Sequence, residues 1–402
     1  MKILLVNQAF YPDVVSTAQH LTDLAVGLAA AGHEVAVLCS DRGYDDPSKR
    51  YPKAGTHRGV SVRRVSCLSP GKKSMLARAI NFASFHTSLF FALCRTPRQD
   101  VVVALTSPPL VAVQAVLFCR WKGGRVVYWL MDLNPDEALA AGWLKEGSLA
   151  ARALKAMNRW CLKRSHRMIA LDRQMCDRVI GVYGADPGKV RVLPPWAHDD
   201  YLRPVDRQSN PFRKKHGLDG KFVVMYSGNH SPCHPLDTLL EAARLLAGDP
   251  GTVFLFIGGG SLTADVRAFK QRHGLANILQ LPYQPIESLS ESLSAADLHV
   301  TVMGGAFAGI VHPCKIYGIL AVGKPFLYIG PKESFIGELM ERHGLGFHAG
   351  HGEAGRVIEH IGRVRGMTAD ELRRMAERSL AAKSAEGDRG TLLPRMMEAV
   401  VS

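Results

Sequence analysis

Short apolar runs alternate with longer stretches whose apolar positions recur at helical spacing along most of the chain. The runs are rich in Val, Ile and Leu and predict buried strands. In the first half they are KILLVN (2–7), EVAVLC (34–39), VSVRRV (60–65), DVVVAL (100–105), RVVYWL (125–130), RMIAL (167–171) and KVRVL (189–193). A second series holds KFVVMYSG (221–228), TVFLFIGGG (252–260), NILQL (277–281), DLHVTV (297–302) and PFLYIG (325–330). Strand followed by helix, repeated, predicts an α/β protein with parallel sheets, because parallel neighbours need a long crossover between them.

Between the two series lies PPWAHDDYLRPVDRQSNPFRKKHG (194–217), polar and broken by prolines. The reading is two Rossmann-like domains, 1–195 and 217–385, with a linker over 196–216 and parallel sheets facing a central cleft. Residues 386–402 form a last helix that packs back on the N-terminal domain. In such sheets ligands sit beyond the carboxyl ends of the strands.

The chain has 402 residues, 47% hydrophobic and 21% charged, enough for two such domains. No uncharged apolar run reaches the length that crosses a bilayer. The start has no signal-peptide layout, and the eight cysteines are scattered without a CxxC pair, which predicts reduced thiols in a cytoplasmic protein.

Charge changes the picture. The net charge is +14, and residues 1–200 hold 27 Lys and Arg against 16 Asp and Glu. No acid lies between Asp46 and Asp100, an interval carrying Lys49, Arg50, Lys53, Arg58, Arg63, Arg64, Lys72, Lys73, Arg78, Arg95 and Arg98. Such a field favours an anionic partner. Within it, LARAINFASFHTSLFFALCR (76–95) repeats Phe82, Phe85, Leu89 and Phe90 at helical spacing. It reads either as a core-packing helix or as one lying on an anionic bilayer. The acid-free surroundings favour the bilayer, and no nucleic-acid-binding module is present.

Four loops follow strand ends. NQAFYPDVVSTAQHL (7–21) offers Asp13, Ser16 and Thr17, and either hydroxyl residue would cap the following helix. MDLNPDEALAAGWL (131–144) offers Asp132 at the strand end and Asp136 at a helix start. YSGNHSPCHPLDTLLEAARLL (226–246) offers Gly228, whose backbone a ligand can approach, then Asn229, His230 and His234. FIGGGS (256–261) carries Gly258 and Gly259 but lacks GxGxxG spacing, so a dinucleotide site is not predicted. Later, GIVHPCKIYGILAVGKP (309–325) sets Lys315 at a helix start, where an ammonium and free N–H groups predict a phosphate site. His230, Cys233, His234, His312 and Cys314 are metal-ligand types, but no pair has the usual spacing, and no metal is expected.

Taken in order, NQAFYPD, STAQHLTDLAVGLAAAGHEVAVLCS, MDLNPDEALAAGWL, YSGN, LDTLLEAA, FLFIGGGS, LPYQPIESL, LSAADLHV and HPCKIYGILAVGKP give the chain its resemblance. It resembles the large family-4 class of retaining glycosyltransferases with the GT-B arrangement, and within it bacterial polysaccharide enzymes of the N-acetyl-fucosamine and colanic-acid transferase type. The resemblance implies a nucleotide-sugar-dependent hexosyltransferase that uses no cofactor. A nucleotide sugar, UDP-linked, is its substrate, and a lipid-linked glycan in surface polysaccharide synthesis is its acceptor. It implies retention of anomeric configuration and a cytoplasmic enzyme, peripheral on the inner face of the plasma membrane. A GT-B-fold nucleotide-sugar epimerase and a non-catalytic nucleotide-sugar-binding partner are the alternatives.

By the same resemblance the first domain takes the acceptor, with Asp13, Ser16, Thr17, Asp132 and Asp136 on that side. The second takes the donor, with Gly228, Asn229, His230, His234, Gly258 and Gly259, then Tyr283, Gln284 and Pro285 near the base. His312, Lys315, Ile316, Tyr317 and Gly318 complete that set. Asp132 and Lys315 are the implied catalytic pair. The family's two signature glutamates align on Ile310 and Gly318, and the usual Arg and Lys of the 228–234 loop are absent.

Overall fold

Four of the five residues of β1 (Lys2–Val6) are buried, as expected of a strand flanked on both faces by helices. The computed structural model describes residues 1–44, 46–68, 75–197 and 202–402; Lys72, Lys73 and part of the segment read as a linker lie outside them. The chain divides into two compact units. The first comprises Met1–Pro195, Gly309–His312 and Gly390–Ser402, and the second Trp196–Ala308 and Pro313–Arg389.

In the first unit β1 is followed by β2 (Glu34–Ser40), β3 (Ala54–His57), β4 (Val60–Val65), β5 (Val101–Ala104), β6 (Arg125–Trp129), β7 (Arg167–Ala170) and β8 (Val190–Val192). They form one sheet in the order β3-β4-β2-β1-β5-β6-β7-β8. Every pair is parallel except β3 with β4. Helix α1 (Ser16–Ala30) buries Ala18, Leu21, Leu24, Ala25 and Leu28, a single stripe at helical spacing. Helix α2 (Met75–Arg95) and helix α3 (Val111–Lys122) run side by side. Gln114 Nε2 donates to the His86 carbonyl at 2.9 Å, and Lys122 Nζ donates to the Cys94 carbonyl at 2.7 Å. Both bonds span the same sequence offset, so the two helices are parallel and in fixed register.

The second unit has β9 (Phe222–Ser227), β10 (Thr252–Ile257), β11 (Ile278–Leu281), β12 (Leu298–Val302), β13 (Phe326–Ile329) and β14 (Phe347–Ala349). Their order is β11-β10-β9-β12-β13-β14, all parallel. Strand order reverses at β9/β12, so the loops leaving those two strands diverge and open a crevice. The described residues of the segment read as a linker, 196–197 and 202–216, belong to this unit. Asn210 caps the helix Pro211–Lys215, Phe212 enters the core, and buried Arg213 pairs with Asp297 at 3.1 Å.

Two segments of the second half of the sequence belong to the first unit. Asp132 and Val311 form an isolated bridge, and Leu133 N–H donates to the Ile310 carbonyl at 2.8 Å. The helix Arg389–Val401 returns as well: Arg125 donates to the Val401 and Ser402 carbonyl oxygens at 2.6 and 2.8 Å.

Candidate functional site

In the second unit the loop after β9 turns at Gly228, where φ is +136°, a conformation costly for any residue with a Cβ. The Lys315 side chain lies directly over it. A Cβ at 228 would stand 2.4 Å from Lys315 Cε. Lys315 Nζ hydrogen-bonds the Tyr226 hydroxyl, donates to the Asn229 carbonyl at 3.2 Å and sits 4.2 Å from the Tyr226 ring centroid. Tyr226 is fully buried, and its own hydroxyl donates to the same Asn229 carbonyl at 2.7 Å. Among these neighbours there is no carboxylate. Burial accordingly holds the Lys315 ammonium down at about 7. An anion placed against it would restore the charged form.

The loop after β10 packs onto this turn through two more glycines. At Gly258 and Gly260 φ is +134° and +137°. A Cβ at 258 would meet the Gly228 carbonyl oxygen at 2.0 Å, and one at 260 the His230 carbonyl oxygen at 2.3 Å. His230 N–H donates to the Gly259 carbonyl at 2.8 Å. Its imidazole is buried, and both ring nitrogens lack a hydrogen-bond partner. Burial, with Lys315 nearby, pushes that ring down to about 4, so it is neutral near pH 7 and can donate from only one nitrogen. His234 is spoken for: its Nδ1 donates to the Val302 carbonyl at 2.6 Å. Tyr283 is exposed beside Gly259, with its hydroxyl 3.3 Å from that carbonyl. Gln284 donates to the Pro282 carbonyl at 2.7 Å, and Pro285 precedes the short turn Ile286–Ser288.

The helix that opens at Lys315, Lys315–Ala321, differs from expectation at its first turn. Ile316 N–H bonds the Pro313 carbonyl and Tyr317 N–H the Cys314 carbonyl, both at 3.2 Å. Tight turn bonds therefore consume N–H groups that the sequence reading left for a phosphate, and the cationic contribution rests on the Lys315 side chain. Ile316 and Tyr317 are buried, and Gly318 packs 3.4 Å (from a Cβ position) against Leu293. These three shape the core beneath Lys315 and do not reach into the crevice. Ile310, the other position aligned with a family glutamate, is also buried.

His312 is not part of this group. It lies in the first unit, where its Nδ1 is 2.9 Å from the Asp172 carboxylate, both side chains buried. Asp172 in turn caps the helix Arg173–Tyr183 by accepting from Met175 N–H at 2.7 Å. The pair fastens residues 309–312 to the helix start, a positioning role instead of the donor contact read from sequence.

In the first unit Asp132 lies just beyond β6. Its N–H donates to Thr106 Oγ1 at 3.2 Å. Burial first, then the neighbouring Glu137, pushes the Asp132 carboxyl well above the usual carboxylate range; burial also raises Glu137, which accepts from Asn134 Nδ2 at 3.5 Å. Both carboxyls are therefore held toward their protonated forms. Glu137 was invisible to the sequence reading, which weighed Asp132 and Asp136 alone.

Asp136 takes another role. It is buried, accepts from Arg178 Nε at 2.9 Å and Nη2 at 2.5 Å, and accepts from the Tyr183 hydroxyl. A carboxylate so fully engaged is a structural anchor, in place of the acceptor contact expected. Asp13 accepts from Tyr44 N–H at 3.1 Å and the Tyr51 hydroxyl at 3.0 Å, which ties down the loop after β2. Neither Ser16 nor Thr17 caps α1: the helix begins at Ser16 after an uncapped Val15, and Ser16 Oγ lies 3.3 Å from His20 Nδ1. Among the described residues no three His, Cys, Asp or Glu side chains are grouped as metal ligands.

Residues 17–196 match the glycosyl transferase 4-like domain family. A curated relative named for colanic acid biosynthesis, the glycosyl transferase WcaI of Escherichia coli (strain K12), is 27% identical over 85% of this chain and 86% of its own. Two solved structures share the fold over nearly the whole length. WaaG, a glycosyltransferase involved in lipopolysaccharide biosynthesis, superposes with a TM-score of 0.74 at 17% identity, covering 100% of both chains. HepE of Anabaena, in complex with UDP and glucose, superposes with a TM-score of 0.73 at 16% identity, covering 99% of this chain and 98% of that one. With the domain match, the relative and the shared fold in agreement, the chain is a glycosyltransferase with the GT-B fold whose residues 17–196 form a glycosyl transferase 4-like domain.

Proposed function

We propose that the enzyme moves a sugar from a UDP-linked nucleotide sugar to a lipid-linked glycan in bacterial surface polysaccharide synthesis, with retention and without a cofactor or metal. One observation carries the donor half: a lysine without a carboxylate partner laid over a bare glycine turn, beside a buried imidazole whose nitrogens are unsatisfied. That is a set of donors suited to a phosphate group. The relatives named for colanic acid and lipopolysaccharide synthesis support the polysaccharide reading, and the UDP complex of HepE supports the nucleotide.

In this reading Lys315 and His230 stabilise the charge that develops on the leaving diphosphate. That diphosphate takes the acceptor's proton as the old bond breaks, so no dedicated protein base is needed. Asp132, proton-bearing beside Glu137, orients the acceptor hydroxyl. Neither Ile310 nor Gly318 can replace a glutamate, and the account asks nothing of them. The acceptor's lipid fits a first unit that exposes Phe82, Phe90 and Phe91 on α2 within an acid-free interval. This supports a peripheral enzyme on the inner membrane face; no described helix is long and apolar enough to cross a membrane.

A thermal-shift screen with UDP-, GDP- and dTDP-sugars tests the donor half. Stabilisation by UDP-sugars that Lys315→Ala abolishes is the expected result. Equal indifference to all three nucleotides would remove the reading.

A further inference from the structure

The end of the first sheet at which β6, β7 and β8 begin carries an accumulation of positive charge. The strands β6, β7 and β8 begin at Arg125, Arg167 and Val190, with Lys189 and Arg191 on either side of the last. A cavity of about 300 Å³ opens there, lined by Arg120, Arg125, Arg164, His166 and Lys189, with Val116 and Cys119 among its apolar wall. No acidic residue lines it. Arg125 is occupied by the carbonyl oxygens of Val401 and Ser402, and Arg164 lies 4.9 Å from the Trp160 ring centroid. Arg120 and Lys189 make no ion pair among the described residues. The crowding is felt nearby: burial, then Arg191 and Arg125, lower the Arg167 guanidinium, and only Glu398 opposes them.

The rim of this cavity is apolar and uncovered. Leu117 and Trp121, one turn apart on α3 around Arg120, are 51% and 66% exposed. Because α2 and α3 are locked in parallel register, Phe90 on α2 is level with Phe118 on α3. Phe90 and Phe91 are exposed as well, with their rings in edge contact at 5.6 Å. Lys122 spreads over the Trp121 ring at 4.6 Å. An aromatic and aliphatic face thus ends at a basic pocket in which Arg120 and Lys189 have no ion-pair partner among the described residues. Indole and leucine at the acyl boundary, with arginine and lysine at headgroup depth, is the chemistry that recognises an anionic lipid surface.

We infer that the cavity lined by Arg120, Arg125, Arg164, His166 and Lys189 binds the phosphate headgroup of an anionic phospholipid while Leu117 and Trp121 seat in the adjoining acyl region. The inference rests on the peripheral-membrane reading above and gives it a defined headgroup site. Free phosphate shares the headgroup chemistry, but it offers nothing to the exposed indole, so the lipid is the occupant.

Flotation of the full-length protein with phosphatidylcholine vesicles, with and without phosphatidylglycerol, tests this. The wild type binds the phosphatidylglycerol vesicles alone. The double variant R120Q/K189Q loses about tenfold or more in apparent affinity, and W121A loses binding while keeping its UDP-induced thermal shift. Unchanged binding by R120Q/K189Q overturns the headgroup site, even if an F90S/F91S variant no longer floats; that combination leaves the α2 reading standing. Equal binding to phosphatidylcholine also overturns the site. Absence of vesicle binding by the wild type overturns both readings. Stabilisation by inorganic phosphate without flotation assigns the cavity to a free anion and overturns the lipid.

Discussion

Lys315 lies across Gly228 so closely that a single added methyl would stand 2.4 Å from its Cε. Each needs the other. The glycine leaves the space in which the lysine is held, and the lysine covers a turn that has no side chain of its own. Gly228→Ala therefore displaces the ammonium and strains a backbone at φ +136°. The expected cost is about 1–3 kcal/mol of stability, with a loss of UDP affinity at least as large as that of Lys315→Ala. Denaturant unfolding and titration calorimetry on the two variants check both.

The Lys315 ammonium sits at about 7 in the free protein, far below an ordinary lysine. Bound phosphate raises it, so binding takes up a proton above neutrality. UDP affinity is highest below pH 7 and falls as pH rises, at up to roughly tenfold per unit, until the complex itself titrates. The stability of the free protein moves the other way. Between pH 7 and the unfolded lysine value the unfolded chain binds more protons, so this group's contribution rises with pH. Calorimetry in buffers of different ionisation heat reads the proton uptake directly; Lys315→Arg, permanently charged, flattens the profile.

His230 keeps two buried nitrogens without partners. Such groups cost about 1–3 kcal/mol when left unsatisfied. His230→Leu raises the thermal midpoint of the free protein and lowers UDP affinity. A variant that is less stable and binds UDP normally would mean the imidazole is packing alone.

Burial holds both the Asp132 and the Glu137 carboxyl up, and the nearby Glu137 adds to the rise at Asp132. A raised carboxyl gives its stabilising share only while protonated. That share falls as pH climbs from the unfolded carboxylate value through the raised one. Asp132→Asn removes the penalty at high pH, so it unfolds less readily than wild type in alkaline buffer while transfer activity drops. Paired melts across pH, with turnover at each point, separate the two effects.

Asp136 answers a different test. Its partners Arg178 and Tyr183 are fixed and its side chain is fully buried. Asp136→Asn removes the charge that holds the partly exposed Arg178 and costs about 1–3 kcal/mol. The refolded variant keeps its acceptor KM, whereas an Asp132 variant does not.

The strand pattern was readable because these sheets are buried on both faces and spell themselves as Val- and Ile-rich runs. All twelve runs quoted at the outset are strands. The two strands that escaped notice had little to show: β3 is AGTH, mostly exposed, and β14 is the three-residue FHA. Candidate site residues were legible where a strand end met a glycine or a charge, as at Gly228 and Lys315. They were illegible where the answer depended on a distant partner. Asp132 and Asp136 look equivalent in MDLNPDEALA; only Arg178 and Tyr183, a helix and a strand later, take Asp136 out of contention. Tyr226 reads as one more apolar strand residue, yet its hydroxyl steadies Lys315. His312 stood beside Lys315 in sequence and was assigned with it, but Asp172 claims it for the other unit.

The return of late segments to the first unit bears on how the protein is made. Residues 309–312 and 390–402 complete the first unit although they are among the later ones translated. While the ribosome is still reading the second half, β6 lacks the chain that bridges at Asp132, and Arg125 lacks the carbonyls of the last helix. The N-terminal half must therefore wait, incompletely closed, until residues 309–312 and 390–402 have been made. Chaperone dependence and cleavage during translation should concentrate in that half of the molecule, even though it emerges first.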